Sequence, residues 1–289
     1  MLLLFLLELN PGKNIRIYLN SKKMKKSIIV LGPRYSYSYN LAGEYFNEKN
    51  IICANSIEDV FRGVSKNKNY KGIVPIENML NGSVRETFLN LRKYPLIILR
   101  AFDYKIENIL ASNDKNYLKI VSHSQPLAQC SDFLRKQREM EILETSSTSK
   151  AMELAAKDKN FAAIGNKKAA EHYGVKIINK NISNKNLNIT RFIEISRTKP
   201  KNFRVGNKTS MMIKPLEDRA GILFEILSIF RIKNINLTKI ESIPTGLKMN
   251  DYVFYIDIDG SLEEKRVVDA LDFLRTFVEV DVFGSYNIY

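Results

Sequence analysis

An α/β fold followed by a small βαββαβ domain is the class this sequence predicts, on three observations. Short apolar, strand-like runs alternate with helical stretches over residues 27–195. A polar, basic stretch containing proline and glycine, RTKPKNFRVGNK (197–208), then interrupts the alternation. Beyond it the pattern becomes strand (TSMMIKPL), helix (AGILFEILSIFRIK), two strands (INLTKIESI and YVFYIDIDG), helix (EEKRVVDALDFLRTF) and strand (VEVDVFGS), the order of a ferredoxin-like unit. The boundary between the two domains falls near residue 205.

The first region reads element by element. SIIVL (27–31) has the composition of a buried strand, and a Gly-Pro turn separates it from a helix spanning about Tyr39 to Asn47. Ser56 stands where an N-cap opens the helix IEDVFRGV. KGIVPI (71–76) is a strand that closes through ENMLNGS into a helix carrying Thr87, Phe88 and Leu91. LIILRAF and IENILAS are apolar, strand-like runs, and LKIVS (118–122) leads into a helix containing Leu127, Cys130 and Leu134. EILET (141–145), a Ser-Ser-Thr cap and the helix SKAMELAAKD repeat the theme, as do FAAIG (161–165) and the helix NKKAAEHYG. ITRFIEIS (189–196) is the last strand before the linker.

Composition narrows the function. The 289 residues are 45% apolar and 26% charged, the mix of a globular protein. Two cysteines, Cys53 and Cys130, cannot build a disulfide framework, and two histidines, His123 and His172, leave little for a metal site. The net charge of +14 comes from lysines spread along the chain without an arginine-rich stripe or an aromatic RNA-binding signature. It therefore points to attraction of small anions rather than to nucleic acid. Phosphate-loop, nucleophile-elbow, His-Glu-x-x-His, Cys-x-x-Cys and dinucleotide motifs are absent from the sequence. Residues 1–25 read as an N-terminal extension in which Met24 is the natural start and the first 23 residues are an upstream addition; MLLLFLL is too short to span a bilayer, and a weak export or anchor segment is the alternative.

Three turns place small polar residues at a helix start just past a strand: Ser36/Ser38, Asn81/Gly82/Ser83 and Ser146/Ser147/Thr148. Unpaired N–H groups and the positive dipole end favour carboxylate or phosphate there, at the strand ends where ligands of open α/β sheets bind. Read one at a time, each is equally an ordinary N-cap.

GPRYSYS (32–38), GIVPIENMLNGSV (72–84), SHSQPLAQC (122–130) and NITRF (188–192), in this order, resemble the prephenate dehydratase family, and GILFEIL (221–227) with INLTKIESIP (235–244) resembles its C-terminal ACT domain. The resemblance covers nearly everything from Lys26 onward. It implies a periplasmic-binding-protein-like, two-lobed catalytic region over 26–200 and an ACT regulatory domain over 207–289. It further implies a lyase that turns prephenate into phenylpyruvate, water and carbon dioxide in phenylalanine biosynthesis, without a cofactor or metal.

By that resemblance Thr190 acts on the departing hydroxyl, and Asn78, Ser122 and Gln129 bind substrate; Arg191 and Phe192 beside Thr190, and Ser36 and Ser83 of the polar turns, are the further substrate-binding candidates. Arg191 is the natural bidentate partner of a carboxylate, with an ion pair holding the last strand as its other reading. Glu77 and His123 are taken as structural. Gly221, Ile222, Leu223, Glu241 and Ser242 match the effector-binding stretches for L-phenylalanine. The chain departs from the family at Tyr35 (usually Gly), Met79 (Ser or Thr), Ser124 (Pro) and Ile243 (Arg). The last of these predicts weakened or altered phenylalanine feedback. A cytoplasmic homodimer or homotetramer completes the expectation. The other functions considered are an arogenate dehydratase and a non-catalytic aromatic amino-acid sensor.

Overall fold

The computed structural model describes residues 27–217, 219–246 and 251–289. The extension expected over residues 1–25 lies outside the described residues. The first lobe contains β1 (Ile28–Leu31), α1 (Tyr37–Tyr45), β2 (Ile51–Ala54), α2 (Ile57–Lys66), β3 (Lys71–Asn78), β4 (Gly82–Ser83), α3 (Arg85–Lys93) and β5 (Ile97–Lys105). The chain then crosses to a second lobe of β6 (Ile109–Ala111), β7 (Lys119–Ser122), α4 (Ser124–Gln129), α5 (Ser131–Leu134), β8 (Glu141–Glu144), α6 (Thr148–Lys157), β9 (Phe161–Gly165), α7 (Lys167–Tyr173) and β10 (Ile177–Asn179). It returns as β11 (Ile189–Ser196), antiparallel to β3 on one side and β5 on the other.

The sheets run β2-β1-β3-β11-β5 and β10-β6-β9-β7-β8, the two-lobed arrangement of periplasmic binding proteins. Two crossing segments, 106–108 and 180–188, connect the lobes, and the Ile106 N–H donates to the Asn188 carbonyl at 2.8 Å. Inside β11 the carboxylate of Glu194 is fully buried; it is paired with Lys71 of β3 at 2.5 Å and with Arg100 of β5, which fixes the strand in register between its neighbours.

Helix starts follow the capping residues. Ser36 Oγ accepts the Tyr39 N–H at 3.2 Å, so α1 begins two residues earlier than a Ser38 cap would give. Ser56, Ser147 and Asn166 cap α2, α6 and α7 in the same way. The helix expected through Leu127, Cys130 and Leu134 is two short pieces. At Cys130 the backbone leaves the helix (φ −112°, ψ 19°), and Asn184 from the second crossing segment supplies the missing bonds: its N–H donates to the Gln129 carbonyl at 2.7 Å, and its Oδ1 accepts the Asp132 N–H at 2.9 Å.

The C-terminal domain is β12 (Lys208–Pro215), α8 (Ile222–Ile232), β13 (Leu237–Pro244), β14 (Tyr252–Asp259), α9 (Lys265–Leu274) and β15 (Val278–Tyr286), in the order β13-β14-β12-β15 and antiparallel throughout. Alternation along its strands serves two faces. Met211, Ile213, Ile256 and Ile258 pack under α8 and α9. Met212, Ile243, Val253, Tyr255 and Phe283 instead join Phe88, Leu91 and Ile98 of the first lobe in one apolar cluster. Phe88 and Tyr255 meet there with centroids 4.4 Å apart. Asn287 and Tyr289 extend the first sheet, their carbonyls accepting from Ala101 and Asp103 at 2.9 and 2.8 Å. At Gly206 the linker runs so close to β15 that a Cβ would fall 1.9 Å from the Tyr286 carbonyl carbon.

Candidate active site

A cavity of about 1010 Å³ lies between the lobes. Its floor is built by strand register: Thr190 of β11 stands opposite Asn78 of β3, and both side chains are buried on the cavity lining. Asn78 Oδ1 accepts the N–H groups of Leu80 and Asn81 at 3.1 and 3.0 Å, closing the turn after β3. Its Nδ2 is thereby committed to donating, to Thr190 Oγ1 at 2.9 Å and to Asn188 Oδ1 at 2.8 Å. An oxygen that accepts from an amide keeps its own proton available, so the Thr190 hydroxyl is presented as a donor. Phe192, two residues on, shares the face and the lining.

Gln129, at the end of α4, reaches the same lining from the second lobe. Its Oε1 accepts from Asn108 and Asn188, each at 3.2 Å. Its Nε2 is the buried side-chain nitrogen or oxygen left without a partner among the described residues. A buried donor costs about 1–3 kcal/mol when unpaired, so this amide is a ready position for an incoming acceptor. Next to it, burial pushes the Cys130 thiol up to about 11.

Both lobes bring charge to the lining. Arg34 and Lys150 are on the lining, Glu153 is its one carboxylate, and Lys150 Nζ approaches Glu153 at 3.0 Å. The Ser36 and Ser147 caps bring the N-termini of α1 and α6 to the same cavity. Ser36 Oγ itself is occupied, donating to the Leu31 carbonyl at 2.9 Å while it caps α1. His123 is also on the lining, and its Nδ1 accepts the Gln125 N–H at 3.4 Å, capping α4.

Three residues expected to bind substrate stand elsewhere. Ser122 is fully buried and donates to the Ile164 carbonyl at 2.8 Å, tying β7 to β9. Arg191 points away from the cavity because successive strand residues face opposite sides; its guanidinium grips Asp103 bidentately at 2.7 and 2.8 Å. Ser83 belongs to β4 rather than to an open anion-binding turn. It bonds Glu241 and accepts from Lys239 Nζ at 2.8 Å, against the C-terminal domain. Glu77, Arg191 and Asp103 thus form a charged row behind Asn78 and Thr190, and Lys239 joins it at 2.7 Å from Glu77. Met79 is exposed and off the lining, so the hydroxyl it replaces is not one taken from this cavity.

Tyr35 holds the left-handed backbone (φ 65°) that favours glycine. Its ring stacks on His172 of the second lobe, and its carbonyl accepts from Asn166 at 2.8 Å. In the C-terminal domain, Gly221 (φ 85°) opens α8 and Ile222 borders a second cavity of about 330 Å³ together with Lys214, Asp251 and Phe254. Leu223, Glu241 and Ser242 are not on that lining, and Glu241 faces the first lobe, so among the described residues the five expected effector residues are not gathered on this cavity. Ile243, standing where an arginine was expected, is buried in the interdomain cluster. The sequence reading missed Arg34, Lys150, Asn108 and Asn188, although Arg34 and Asn188 lie inside motifs it had singled out. Among the described residues no group of three or more His, Cys, Asp or Glu side chains is placed to hold a metal ion.

These features define a two-lobed α/β protein whose interlobe cavity is lined by an amide and a hydroxyl donor and by two cations, and which carries a βαββαβ domain behind the same strands. Residues 28–200 match the prephenate dehydratase family and residues 216–276 the ACT domain. A prephenate dehydratase of Methanocaldococcus jannaschii is 36% identical over 280 residues, covering 92% of this chain and 100% of the relative. An arogenate dehydratase/prephenate dehydratase 2 of Arabidopsis thaliana is 31% identical, with 89% and 71% of the chains covered. The crystal structure of an Arthrobacter aurescens prephenate dehydratase in complex with L-Phe superposes with a TM-score of 0.81 at 29% identity, covering 90% of each chain. The chain belongs to the prephenate dehydratase family.

Proposed function

We propose that this protein converts prephenate to phenylpyruvate, water and carbon dioxide in phenylalanine biosynthesis. The observation that carries the reading is the 2.9 Å Asn78–Thr190 contact on the cavity floor, which leaves the Thr190 hydroxyl able to donate at the cavity lining. In the reaction the ring C–O bond breaks and the electrons of the ring-to-carboxylate C–C bond enter the ring, which becomes aromatic as carbon dioxide departs. The expelled hydroxide gains a proton and leaves as water. A threonine hydroxyl is too weak an acid to give up its proton outright, so Thr190 acts by a directed hydrogen bond to the departing oxygen, strengthened by the Asn78 amide, with the proton coming from solvent. Gln129 Nε2 offers a second donor, Phe192 contributes apolar surface that keeps water from the ring, and Arg34 and Lys150 balance the two carboxylates.

The chain is divided in this reading into a catalytic region, 26–200, and an ACT domain, 207–289, that binds L-phenylalanine as a feedback effector. The enzyme works as a homodimer or homotetramer in the cytoplasm. No helix among the described residues is long and apolar enough to cross a membrane.

The test is turnover of prephenate by the purified protein, followed as phenylpyruvate absorbance in alkali. Thr190→Val, which keeps the side-chain shape, should lower kcat about 10²–10⁴-fold with an unchanged Tm. A variant that turns over at the parental rate would overturn the role of Thr190. Arogenate is the second reading, favoured by Glu153, a carboxylate on the lining able to meet an ammonium group. The ratio of kcat/KM for the two substrates decides between them.

A further inference from the structure

Five buried side chains form one hydrogen-bonded chain across the hinge: Thr190, Asn78, Asn188, Gln129 and Asn108. A side-chain amide can be turned end for end at little cost in shape, so the direction of each member has to be fixed by something that cannot turn. Here that fixed point is the backbone. The N–H groups of Leu80 and Asn81 require Asn78 Oδ1 to accept, which makes Asn78 Nδ2 the donor. Asn188 must then receive with Oδ1 and donate with Nδ2, and Gln129 must receive with Oε1. The last free valence in the series is Gln129 Nε2, buried and without a partner among the described residues.

We propose that Asn188 is a positioning residue: it transmits the polarity of the β3 turn to Gln129 and, with the Asn108 amide on the same oxygen, turns the glutamine so that it meets the substrate with its nitrogen, as a donor. The inference rests on the lyase reading for the identity of the substrate. Asn188 belongs to the second crossing segment, and its carbonyl accepts from Ile106 of the first. The same residue therefore links the hinge, the first-lobe pair Asn78–Thr190 and the second-lobe donor Gln129. If Gln129 were reversed, an oxygen would face the departing hydroxide, and two amide nitrogens would face each other in the interior.

Asn188→Asp tests this. The ionised carboxylate still accepts from Asn78 but has nothing to donate to Gln129, whose Oε1 then keeps the Asn108 amide alone; turning the glutamine gives the carboxylate a charge-assisted bond from Nε2, which outweighs that one neutral bond. Once protonated, it accepts through one oxygen and donates through the other, restoring the original polarity. The expected result is a kcat about 10²-fold below wild type at neutral pH, recovering toward wild type as the pH falls through the titration of the introduced carboxyl. Arg34, His123, Lys150 and Glu153 line the same cavity in both proteins, so the wild-type profile is the reference. In a Gln129→Met background, Asn188→Asp should cost little more and show no such recovery. Wild-type kcat across the pH range, or an equal loss in the Gln129→Met background, would overturn the proposal.

A measurement on the unaltered chain does not depend on a variant folding. In 15N-labelled protein, prephenate or phenylpyruvate should shift the side-chain amide signal of Gln129 more than that of Asn188, and the reverse order would overturn the proposal. Wild-type turnover of prephenate reports separately on the functional reading.

Discussion

The ring of Tyr35 lies over the imidazole of His172 with centroids 3.9 Å apart and planes 23° from parallel, so a first-lobe side chain is stacked on a second-lobe one beside the mouth of the cleft. The contact is held by the Asn166 bond to the Tyr35 carbonyl and by Ser149 Oγ, which donates to the Arg34 carbonyl at 2.9 Å. A left-handed tyrosine costs about 1–2 kcal/mol relative to glycine, and an aromatic pair returns a comparable amount. Tyr35→Ala keeps the backbone strain and loses the ring, whereas Tyr35→Gly loses both. Thermal unfolding should therefore find the alanine variant the less stable. Both variants should raise KM about 3–10-fold with a smaller change in kcat, because a contact joining the two lobes that frame the cavity is lost.

Arg191 gives the opposite result from a substrate ligand. With its guanidinium committed to Asp103 on the rear of the sheet, Arg191→Met should change KM less than about threefold and lower stability by at most about 1 kcal/mol, the range of a partly exposed pair. Steady-state kinetics with a parallel denaturation curve measures both. An increase in KM of a hundredfold would mean that the arginine reaches the substrate after all.

Ile243 is a packing residue. Ile243→Arg would set an unpaired guanidinium among Tyr255, Val253 and Phe88, at a cost on the order of 3 kcal/mol or more. A large drop in Tm is expected, with no gain in phenylalanine affinity by calorimetry. A stable variant that binds phenylalanine more tightly would restore the view that feedback here is weakened by a missing charge.

The two cysteines should separate chemically. Burial raises Cys130 to about 11, so at pH 8 roughly one thiol in a thousand is the reactive thiolate. Cys53 is exposed on the cavity lining. Mass spectrometry after a thiol reagent at pH 8 should find one adduct, on Cys53, formed more slowly with substrate bound, and a second adduct only after unfolding.

Much of the fold was legible because its strands are short apolar runs and its helices start at serines and asparagines. What was not legible depended on partners distant in sequence. The break at Cys130 needs Asn184, and the Ser83 hydroxyl is drawn away from the cavity by Lys239 and Glu241. In the site, Thr190, Asn78, Gln129 and Phe192 do line one cavity, whereas Arg191 does not. The two-residue period of a strand contained that answer: if Thr190 and Phe192 face the cleft, Arg191 faces away. Asn188 carried no such signal, since an amide between two crossing segments resembles any polar loop residue until its neighbours are known.

The apolar cluster shared by the C-terminal sheet and the first lobe bears on how this enzyme comes apart. A regulatory module on a loose tether would melt separately and be released by one cut in the connecting segment. Here, with Phe88 against Tyr255 and Tyr289 zipped to β5, a protease nick between residues 197 and 207 should leave two fragments that co-elute and denature together.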